Sequence, residues 1–396
     1  MTDNYKNKIG IIGAGAAGLA AGITAGRILT DAQGLKEWKI QIFDSNDEPG
    51  KKILATGNGR CNITNIEARD YEVVKGFFND LGILFAFEEE GRVYPHSKQA
   101  KSIRDVLVKS AEKYGVDFQL NKSIKQIKKT DDFFVLTDID GNEYVFEKVI
   151  VASGGKAGIQ YGSDGSGLRL LRDFKIKQNP ILPALVPMVY DDSQEANLKS
   201  LKGVRANVKV TLYVNGKEIS NEFGEIQFTQ YGLSGICIFN LSRFFVDLPK
   251  SNGKLDECYV IIDLVPEYEK QEVKAFLSDN LEAGLEGIVN RKIADFFANS
   301  KEFSGGDAEK TANSLKEFQV KISGTKGWKE AQVTSGGIDL KEINPSSMEL
   351  KNVKNLHLAG EILDYAGPCG GFNLNWAWLT GIQAGLGATN GIHQDD

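Results

Sequence analysis

The glycine pattern near the start of the chain constrains its fold more than any other feature. Residues 8–20, K-I-G-I-I-G-A-G-A-A-G-L-A, run from a short apolar stretch through G-x-G-x-x-G into an alanine-rich stretch. This order predicts a strand, a tight turn and a helix. Gly13 permits the sharp turn, Gly15 lets a pyrophosphate approach the backbone, and Gly18 allows close packing of the helix on the strand. The amino end of that helix, with its unpaired N–H groups, is therefore predicted to bind a dinucleotide.

A second strand and an acidic residue support this interpretation. Residues 39–43, K-I-Q-I-F, predict a strand, and Asp44 follows it, where a carboxylate accepts hydrogen bonds from both hydroxyls of a ribose. The interval from Gly18 to Asp44 exceeds the roughly 20 residues usual for this motif. Asp47 and Glu48 are neighbouring acidic residues in what the sequence predicts to be a turn. A glycine-rich turn without a ligand is the competing interpretation, which the strand context disfavours.

Composition argues against several classes of protein. With 396 residues, 41% of them apolar and 25% charged, we expect a globular protein of two to three domains. The formal net charge is -6 and no long run of Lys or Arg occurs, so no nucleic-acid partner is expected. No secretory signal or membrane-spanning stretch is recognised, so the sequence predicts a cytoplasmic protein without a membrane partner. The oligomeric state stays open.

Cysteine and histidine usage argues against a metal centre or a disulfide framework. The cysteines at 61, 237, 258 and 369 form no C-x-x-C, and the three histidines lack the spacing of a zinc or iron site. We therefore expect no metal, and thiols that are mostly buried. A functional pair of Cys61 and Cys369 is the alternative, and it requires the two residues to meet in space.

Further patterns predict how the first domain continues. Residues 98–114 have the apolar spacing of a helix, and 123–146 alternate like a three-stranded antiparallel meander. Residues 149–152, V-I-V-A, are typical of a buried parallel strand. The S-G-G at 153–155 consists of small residues, which let the backbone pass close to a ligand.

A second domain interrupts the first. The turn at Asn215-Gly216 predicts a β-hairpin, and helical patterns follow within about 266–318. A strand at 355–361 and an apolar helix at 372–388 return the chain to the first domain. We predict a first domain built from residues 1–188 and 331–396, and an inserted domain at 189–330.

Five motifs together resemble those of one known family. Besides the glycine turn and the S-G-G, the chain contains G-K-K-I-L-A-T-G-N-G-R-C-N-I-T-N at 50–65, A-G-E at 359–361 and G-G-F-N at 370–373. Over nearly its whole length the sequence resembles the bacterial FAD-dependent oxidoreductase family that includes aminoacetone oxidase and dehydro-bile-acid reductase. The resemblance implies an α/β fold, in which a Rossmann-type FAD-binding domain of the two-dinucleotide-binding flavoprotein type carries an inserted β-rich and helical substrate domain.

The resemblance also implies which groups hold the FAD, without a covalent link. Asp44 suits the adenosine ribose, the glycine turn suits the pyrophosphate, and polar side chains such as those of Asn62 and Asn65 suit the ribityl chain and the ring. If the helix after Gly371 points at the pyrimidine edge of the flavin, its dipole stabilises the negative charge of the reduced ring. The predicted cofactor-binding residues are Gly13, Gly15, Ala16, Ala17, Gly18, Asp44, Lys51, Lys52, Gly59, Arg60, Cys61, Asn62, Ser153, Gly154, Gly155, Gly360, Glu361, Gly371, Phe372 and Asn373.

One segment departs from the family pattern. Where relatives often have T-H-x-G-x-S-G, this chain has T-Q-Y-G-L-S-G at 229–235, so a histidine that would serve as acid or base is missing. Tyr231, as a substitute proton donor, and Gln230 are the catalytic candidates, and a core or substrate-wall role for Tyr231 is the alternative. We expect the substrate between the flavin and the inserted domain, against loops at 228–235 and 333–338; two tight turns are the alternative.

The predicted function is that of an FAD-dependent oxidoreductase of amine oxidase or enone reductase type. Hydride passes between a carbon of a small organic substrate and flavin N5. Because no second G-x-G-x-x-G follows a strand, dioxygen or a loosely bound nicotinamide is expected as the other redox partner. A flavin-holding sensor without turnover and a flavin-dependent RNA-modifying enzyme are the alternatives, and the acidic composition disfavours the latter. The substrate and the direction of reaction stay open.

Overall fold

The structure is a computed structural model that describes residues 5–31, 38–246, 250–251, 254–255, 257–280, 285–299 and 307–392. The chain divides into two compact units. Unit 1 comprises residues 1–182 and 333–396, and unit 2 comprises residues 183–332. The sequence predicted domain borders after residues 188 and 330. Met188 lies in a strand of unit 2 rather than in the first domain.

The elements are named in chain order. The strands are β1 Lys8–Ile12, β2 Lys39–Phe43, β3 Thr64–Asn65, β4 Phe85–Phe87, β5 Arg92–Pro95, β6 Val116–Gln119, β7 Ile124–Lys129, β8 Phe134–Asp138, β9 Glu143–Phe146, β10 Lys148–Val151, β11 Gln178–Ala184, β12 Met188–Tyr190, β13 Arg205–Val214, β14 Lys217–Phe228, β15 Gly232–Ser234, β16 Lys250–Ser251, β17 Lys254–Leu255, β18 Cys258–Asp263, β19 Phe318–Thr325, β20 Val333–Ile338 and β21 Leu356–Leu358. The helices are α1 Ala16–Asp31, α2 Lys51–Ala55, α3 Tyr71–Asp80, α4 Ala100–Lys113, α5 Ser166–Leu170, α6 Asp192–Leu198, α7 Ile236–Ser242, α8 Lys270–Asn280, α9 Arg291–Ala298, α10 Ala308–Lys316 and α11 Phe372–Thr389.

A parallel sheet in the order β21-β10-β1-β2-β6 forms the centre of unit 1. Strands β21, β10 and β1 are almost wholly buried, as is usual when both faces of a parallel sheet are covered, whereas the edge strand β6 is partly exposed. Ile12 pairs with Phe43 on one side and with Val151 on the other. Their successors Gly13, Asp44 and Ala152 therefore lie at one carboxyl edge of the sheet, where ligands of open α/β sheets bind.

Helices α1 and α11 pack against each other through small residues. A Cβ atom on Gly381 of α11 would lie 2.3 Å from the carbonyl oxygen of Ala17 in α1, so only glycine permits this approach. At its amino end α11 also holds the 50–65 segment, because the indole N–H of Trp378 donates to the carbonyl oxygen of Ile63 at 3.0 Å. The carboxyl-terminal helix thus returns to the first domain, as predicted.

Local patterns in unit 1 were predicted correctly. Helix α4 lies within the predicted 98–114, and β7-β8-β9 form the predicted antiparallel meander. A second small sheet, β3-β5-β4, follows the 50–65 segment.

Unit 2 is built on a closed barrel in the order β12-β15-β14-β13-β18-β19. Its neighbouring strands are antiparallel, and alternate residues of β13, such as Val208, Val210 and Leu212, are buried. The predicted hairpin turn is present, with left-handed φ of 50° at Asn215 and 73° at Gly216. Helices α8, α9 and α10 lie within the predicted helical part.

Candidate functional site

The glycine turn after β1 contains two glycines that serve packing and one that does not. A Cβ on Gly13 would lie 2.4 Å from the carbonyl oxygen of Ala152, and one on Gly18 only 1.8 Å from the carbonyl oxygen of Gly13. A Cβ on Gly15 would meet no atom within 4 Å. Space is therefore open beside Gly15 at the start of α1, whose first turn contains Ala16 and Ala17. A phosphate needs such space to reach backbone N–H groups.

The Asp44 carboxylate stabilises this turn through hydrogen bonds. Its Oδ2 accepts a hydrogen bond from the backbone N–H of Ala14 at 2.7 Å. Its Oδ1 accepts from the backbone N–H of Asn46 at 2.8 Å and from the Asn46 amide at 2.9 Å. Because a carboxylate offers about four acceptor positions, capacity remains for a hydroxyl of a ligand. Its ribose contact stays a prediction.

The 50–62 segment contains a run of left-handed backbone. The φ angles of Gly57, Asn58, Gly59 and Cys61 are 55°, 55°, 82° and 59°. Gly59 borders open space, because a Cβ there would meet nothing within 4 Å. Cys61 is fully buried, and this burial raises the pKa of its thiol to about 12.

Charged residues of this segment have partners within unit 1. Lys51 pairs with Asp47 at 2.5 Å. The Arg60 guanidinium lies 4.4 Å from the centroid of the Tyr94 ring and 3.3 Å from both carboxylate oxygens of Glu88. A hydrogen bond from Lys98 lowers the pKa of Glu88, and the charges of Lys98 and Arg60 add to this effect.

A hydrogen-bonded clasp joins four segments of unit 1 that are distant in sequence. The Lys52 ammonium donates to Glu361 Oε2 at 2.6 Å and to the carbonyl oxygen of Ala157 at 2.9 Å. Glu361 Oε1 accepts from the backbone N–H of Thr334 at 2.6 Å. The Thr334 hydroxyl accepts from the backbone N–H groups of Lys156 and Ala157 at 2.7 and 3.0 Å. Glu361 is therefore held from two sides.

The sequence predicts Thr334 to be a polar group beside the substrate rather than a member of this clasp. The prediction treated 333–338 as a substrate-contacting loop, but these residues form strand β20, which is wholly buried. Nothing in local spacing indicates that Thr334 meets Lys156, since 178 positions separate them. Gly155 lies against Thr334, where a Cβ would be 2.3 Å from the hydroxyl oxygen.

Two predicted residues have buried side-chain oxygens without a hydrogen-bond partner among the described residues. They are Asn62, through Oδ1, and Ser153, through its hydroxyl. Buried polar atoms are nearly always paired, so each unpaired one calls for an explanation such as an absent ligand or water. Gly154, next to Ser153, has a left-handed φ of 74°.

The start of α11 lies beside Asn62. Gly371 precedes the helix with φ 104°, and no side chain caps it. A Cβ there would lie 2.4 Å from the carbonyl oxygen of Thr64 and 3.0 Å from Asn62 Oδ1. Phe372 and Asn373 form the first turn, whose backbone N–H groups lack partners within the helix.

Two asparagines expected at the cofactor have other hydrogen bonds. The Asn373 side chain accepts from Gly367 N–H at 2.8 Å and donates to the Gly367 carbonyl oxygen at 2.9 Å. Asn65 donates to the carbonyl oxygens of Glu90 and Gly370 at 2.8 and 3.1 Å. Both side chains therefore stabilise neighbouring loops through hydrogen bonds. Whether either contacts the cofactor stays a prediction.

Another predicted position, Gly360, starts the turn after β21 with φ 80°. Its backbone N–H donates to the hydroxyl of Thr380 at 2.9 Å. Because Thr380 lies in α11, this contact ties the Gly360-Glu361 turn to that helix.

The catalytic candidates lie on a tight turn of unit 2, between β14 and β15. The Thr229 hydroxyl accepts from the backbone N–H groups of Tyr231 and Gly232 at 3.3 and 3.0 Å. The Tyr231 ring lies against the Lys326 ammonium, 3.9 Å from the ring centroid. Gln230 is exposed, and its Oε1 lies 3.4 Å from the Lys202 ammonium.

Comparison with known proteins identifies the family. The family described as HI0933-like protein Rossmann domain matches residues 69–387. The chain belongs to this family. It is similar to the 3-dehydro-bile acid delta(4,6)-reductase of Clostridium scindens, with 34% identity over 96% of this chain and 99% of that protein. It is also similar to the ribosomal RNA dihydrouridine synthases of Escherichia coli, at 27% identity over 93% of this chain and 94% of that protein, and Haemophilus influenzae, at 26% over 96% and 98%.

Membership of the HI0933-like family confirms the predicted resemblance, and the fold is the predicted α/β Rossmann-type FAD-binding fold. The predicted β-rich insert is a closed barrel, which the sequence did not predict. The residues present fit an FAD. Gly15 and Gly59 border open space, and Asn62 and Ser153 bury oxygens that a ligand would satisfy. This fit depends on the shape and hydrogen-bonding capacity of unit 1 alone.

The described residues meet neither the requirements of a metal site nor those of a membrane-spanning helix. No group of three or more His, Cys, Asp or Glu is arranged to hold a metal ion. His357 is buried with Nδ1 2.8 Å from the carbonyl oxygen of Ser347, and burial lowers its pKa. The described helices include none with the length and apolar character needed to cross a membrane.

Proposed function

We propose that this protein is an FAD-dependent oxidoreductase that transfers hydride between flavin N5 and a carbon of a small organic substrate. The observation that carries the proposal is that the glycine turn, the 50–62 segment and Glu361 are joined by hydrogen bonds in unit 1, from Gly50 N–H to the Ala14 carbonyl oxygen at 2.9 Å and from Lys52 to Glu361 at 2.6 Å. Beside these contacts, Gly15 borders open space and the side-chain oxygens of Asn62 and Ser153 are unpaired among the described residues. When bound, FAD supplies hydride chemistry at its ring. A loosely bound nicotinamide is the proposed electron donor if the substrate is reduced, and dioxygen is the proposed electron acceptor if the substrate is oxidised.

The chain's own residues have distinct proposed roles in holding the cofactor. The open backbone at Gly15 and the first turn of α1 bind the pyrophosphate. Asp44 keeps the turn in place and accepts from the ribose. Glu361, fixed by Lys52 and Thr334, presents a carboxylate of set orientation to the hydroxyl-bearing part of the cofactor, because both of its oxygens are already restrained.

The similar proteins suggest the substrate type. A delta(4,6)-reductase of a 3-oxo compound saturates a carbon–carbon bond conjugated to a carbonyl, and dihydrouridine is uridine whose C5–C6 double bond has been saturated. Both names describe hydrogen addition to a double bond conjugated to a carbonyl. We therefore favour the enone reductase type over the amine oxidase type for this chain.

Saturation of such a bond needs a proton as well as a hydride. The proton must come from an acid within hydrogen-bond reach of the substrate. We propose Tyr231 as that donor, with Gln230 as a substrate contact. The Lys326 ammonium lies 3.9 Å from the centroid of the Tyr231 ring, a cation–π contact that favours this orientation of the ring.

The test is to identify the cofactor and its substrates. Purified protein is denatured, and the released flavin is identified as FAD or FMN. The reduced protein is then mixed, without oxygen, with a 3-oxo-Δ4 steroid acid, and reoxidation is compared with that by air. Reduction of the oxidised protein by amines is measured in parallel. Release of FAD and faster reoxidation by the enone are expected. Protein that binds no FAD after reconstitution would overturn the proposal.

A second candidate function is reduction of uridine in ribosomal RNA. It is favoured by the two dihydrouridine synthases, which align with over nine tenths of this chain. The formal charge of -6 disfavours it, because RNA binding rests on phosphate neutralisation. Reoxidation of the reduced protein by ribosomal RNA, but not by the enone, would establish this alternative. Stable flavin without turnover by any substrate would favour the sensor interpretation.

A further inference from the structure

Three lysines of unit 2 gather beside the turn that carries the catalytic candidates. The Lys202 ammonium lies 3.4 Å from Gln230 Oε1, and the Lys326 ammonium lies 3.9 Å from the centroid of the Tyr231 ring. The Lys292 ammonium donates to the carbonyl oxygen of Lys202 at 3.0 Å. These contacts are with neutral groups, and none of the three lysines forms an ion pair with a described residue. Lys202, Lys292 and Lys326 are named the cationic rim.

Other cations of unit 2 are neutralised by carboxylates. Arg205 pairs with Glu225 at 3.0 Å, and Lys316 pairs with Asp263 at 2.7 Å. A single exposed lysine without a partner is usually only solvated and indicates no site. Three at one turn create a local positive potential, on a chain whose formal net charge is -6. The rim therefore attracts anions to the residues proposed to contact the substrate.

Backbone hydrogen bonds hold two of these lysines at the turn. Next to Lys202, the N–H of Gly203 donates at 2.8 Å to the carbonyl oxygen of Phe228, which directly precedes the turn. The N–H of Lys326 donates at 2.9 Å to the carbonyl oxygen of Pro187, beside strand β12, which pairs with β15. The backbone positions from which both side chains extend are therefore fixed, so a bound anion has only the side chains to order.

The turn itself adds hydrogen-bond donors. Because Oε1 of Gln230 faces the Lys202 ammonium, the amide N–H groups of Gln230 have no acceptor among the described residues. The hydroxyl of Tyr231 has no hydrogen-bond partner among them either. A carboxylate has only acceptor positions and carries a negative charge, so it complements this set of donors better than a neutral carbonyl does.

We propose that the cationic rim binds a carboxylate of the substrate, with Lys202 and Lys326 as residues that determine specificity. This inference rests on the proposed function, and it narrows the substrate to an unsaturated carbonyl compound that also bears a carboxylate. An RNA phosphate is an anion too, but RNA binding needs cations along the nucleic-acid backbone rather than at one turn. The rim favours binding of the charged substrate and leaves hydride transfer to the flavin.

The first experiment compares a 3-oxo-Δ4 steroid acid with its primary carboxamide, which has nearly the same shape and no charge. The anaerobic reoxidation rate of the reduced holoenzyme is measured against the concentration of each compound, which separates the half-saturating concentration from the maximal rate. Wild type, Lys202→Gln, Lys326→Gln and the control Lys209→Gln are compared. Lys209 also lacks an ion pair among the described residues, but its ammonium lies 5.5 Å from the centroid of the Phe223 ring and contacts no residue of the turn.

For wild type and the control we expect the acid to half-saturate at a concentration roughly tenfold lower than the carboxamide, which is the gain from one charge-assisted hydrogen bond. Lys202→Gln and Lys326→Gln should each raise the half-saturating concentration of the acid roughly three- to tenfold and leave that of the carboxamide unchanged. Lys202→Arg keeps the charge and should retain the preference. Added salt should reduce the wild-type preference by screening the charges.

A second measurement does not depend on turnover. The oxidised holoenzyme is acetylated with an N-hydroxysuccinimide ester, and mass spectrometry follows labelling at Lys202 and Lys326, with Lys209 as the control. The acid should slow acetylation of the two rim lysines severalfold, because their ammonium groups are then in contact with the carboxylate. The carboxamide should not slow it, and Lys209 should be labelled equally with either compound.

Equal half-saturation of wild type by the two compounds would overturn the inference while leaving the proposed function intact. If neither compound reoxidises the protein, equal labelling of the rim lysines with either compound would overturn it. A loss of preference in Lys209→Gln as large as in Lys202→Gln would also do so. Reoxidation by ribosomal RNA that slows in the rim variants would assign the rim to phosphate instead. Protein that binds no FAD would overturn the proposed function itself, so the two failures are distinguishable.

Discussion

The 50–62 segment of unit 1 and the 229–232 turn of unit 2 both contain glycine and polar residues, yet they differ in how their polar atoms are used. In the turn, the Thr229 hydroxyl accepts hydrogen bonds from the backbone N–H groups of Tyr231 and Gly232, so these polar groups are paired within the turn. In the 50–62 segment, Asn62 Oδ1 has no partner among the described residues and Gly59 borders open space. Unused hydrogen-bonding capacity, rather than composition, distinguishes a candidate ligand site from a structural turn.

The same contrast holds within the glycine motif. Gly13 and Gly18 are required by neighbouring backbone, whereas Gly15 is not. Substitutions at the three glycines of this motif are therefore expected to have different effects. The predictions below use this contrast, in order of decreasing expected effect on FAD binding.

The largest loss is expected for Gly15→Val. The new side chain would occupy the open space where phosphate approaches, so FAD affinity should fall by roughly a hundredfold or more. The apoprotein should unfold at the wild-type temperature, because a Cβ at Gly15 meets no protein atom within 4 Å. Flavin titration and calorimetry measure the two effects.

Gly18→Ala is the matched control for that variant. Its Cβ would lie 1.8 Å from the Gly13 carbonyl oxygen, so it should lower the stability of the apoprotein itself. Full flavin occupancy in Gly15→Val would mean that Gly15 has no ligand beside it.

An intermediate effect is expected from breaking the clasp. In Lys52→Met the Glu361 carboxylate keeps only the Thr334 N–H. Breaking a fully buried ion pair costs about 3–5 kcal/mol, but these side chains are 30% and 19% exposed, so about 1–2 kcal/mol of unfolding free energy is expected. FAD affinity should fall roughly tenfold.

The clasp is tested fully by adding Glu361→Gln. If the two residues act through each other, the double variant should lose less stability and less FAD affinity than the sum of the single variants. Additive losses in both urea unfolding and flavin titration would show that Lys52 and Glu361 act independently.

Patterns among neighbouring residues predict most of the fold. The features that they do not predict depend on pairing between segments that are distant in sequence. The strand at 39–43, the meander and the Asn215-Gly216 hairpin depend on neighbours in sequence, and all are present. Closure of the barrel was not predicted, because it depends on the three-residue strands β12 and β15, which are too short to show a period of two.

The site shows the same division. The glycine turn follows from a motif whose members are a few positions apart. The hydrogen bond between Thr334 and Glu361 cannot be read from any motif, because Thr334 lies in a buried strand whose small residues resemble a loop. Neither could sequence separate Asn62, which has an unpaired oxygen, from Asn65, whose amide is used by two carbonyls.

Substitutions in the barrel turn should leave FAD binding nearly unchanged. Tyr231→Phe keeps the ring that lies against Lys326 and removes only the hydroxyl, so the variant isolates proton donation. If Tyr231 is the acid, reoxidation by an enone should slow by roughly a hundredfold or more. Gln230→Ala, at an exposed position, should change the rate by a smaller factor.

The measurement for these variants is the anaerobic rate of flavin reoxidation, with the FAD content and spectrum as controls. Unchanged reoxidation rates in both variants, with every active substrate, would show that the turn has only a structural role. Altered FAD content in either variant would contradict the proposal that Gln230 and Tyr231 contact the substrate and not the cofactor.

The smallest effect is expected for Cys61→Ser. Burial raises the pKa of the Cys61 thiol to about 12, so the nucleophilic thiolate is disfavoured at neutral pH. The folded protein should therefore resist alkylation by iodoacetamide at Cys61 and react only when unfolded, and the variant should retain FAD and most of its rate. Mass spectrometry of native and unfolded samples locates the label, with Cys369→Ser as the companion variant. A redox pair of Cys61 and Cys369 would instead take up two electrons beyond those of the flavin in a reductive titration, and either single variant would abolish that uptake.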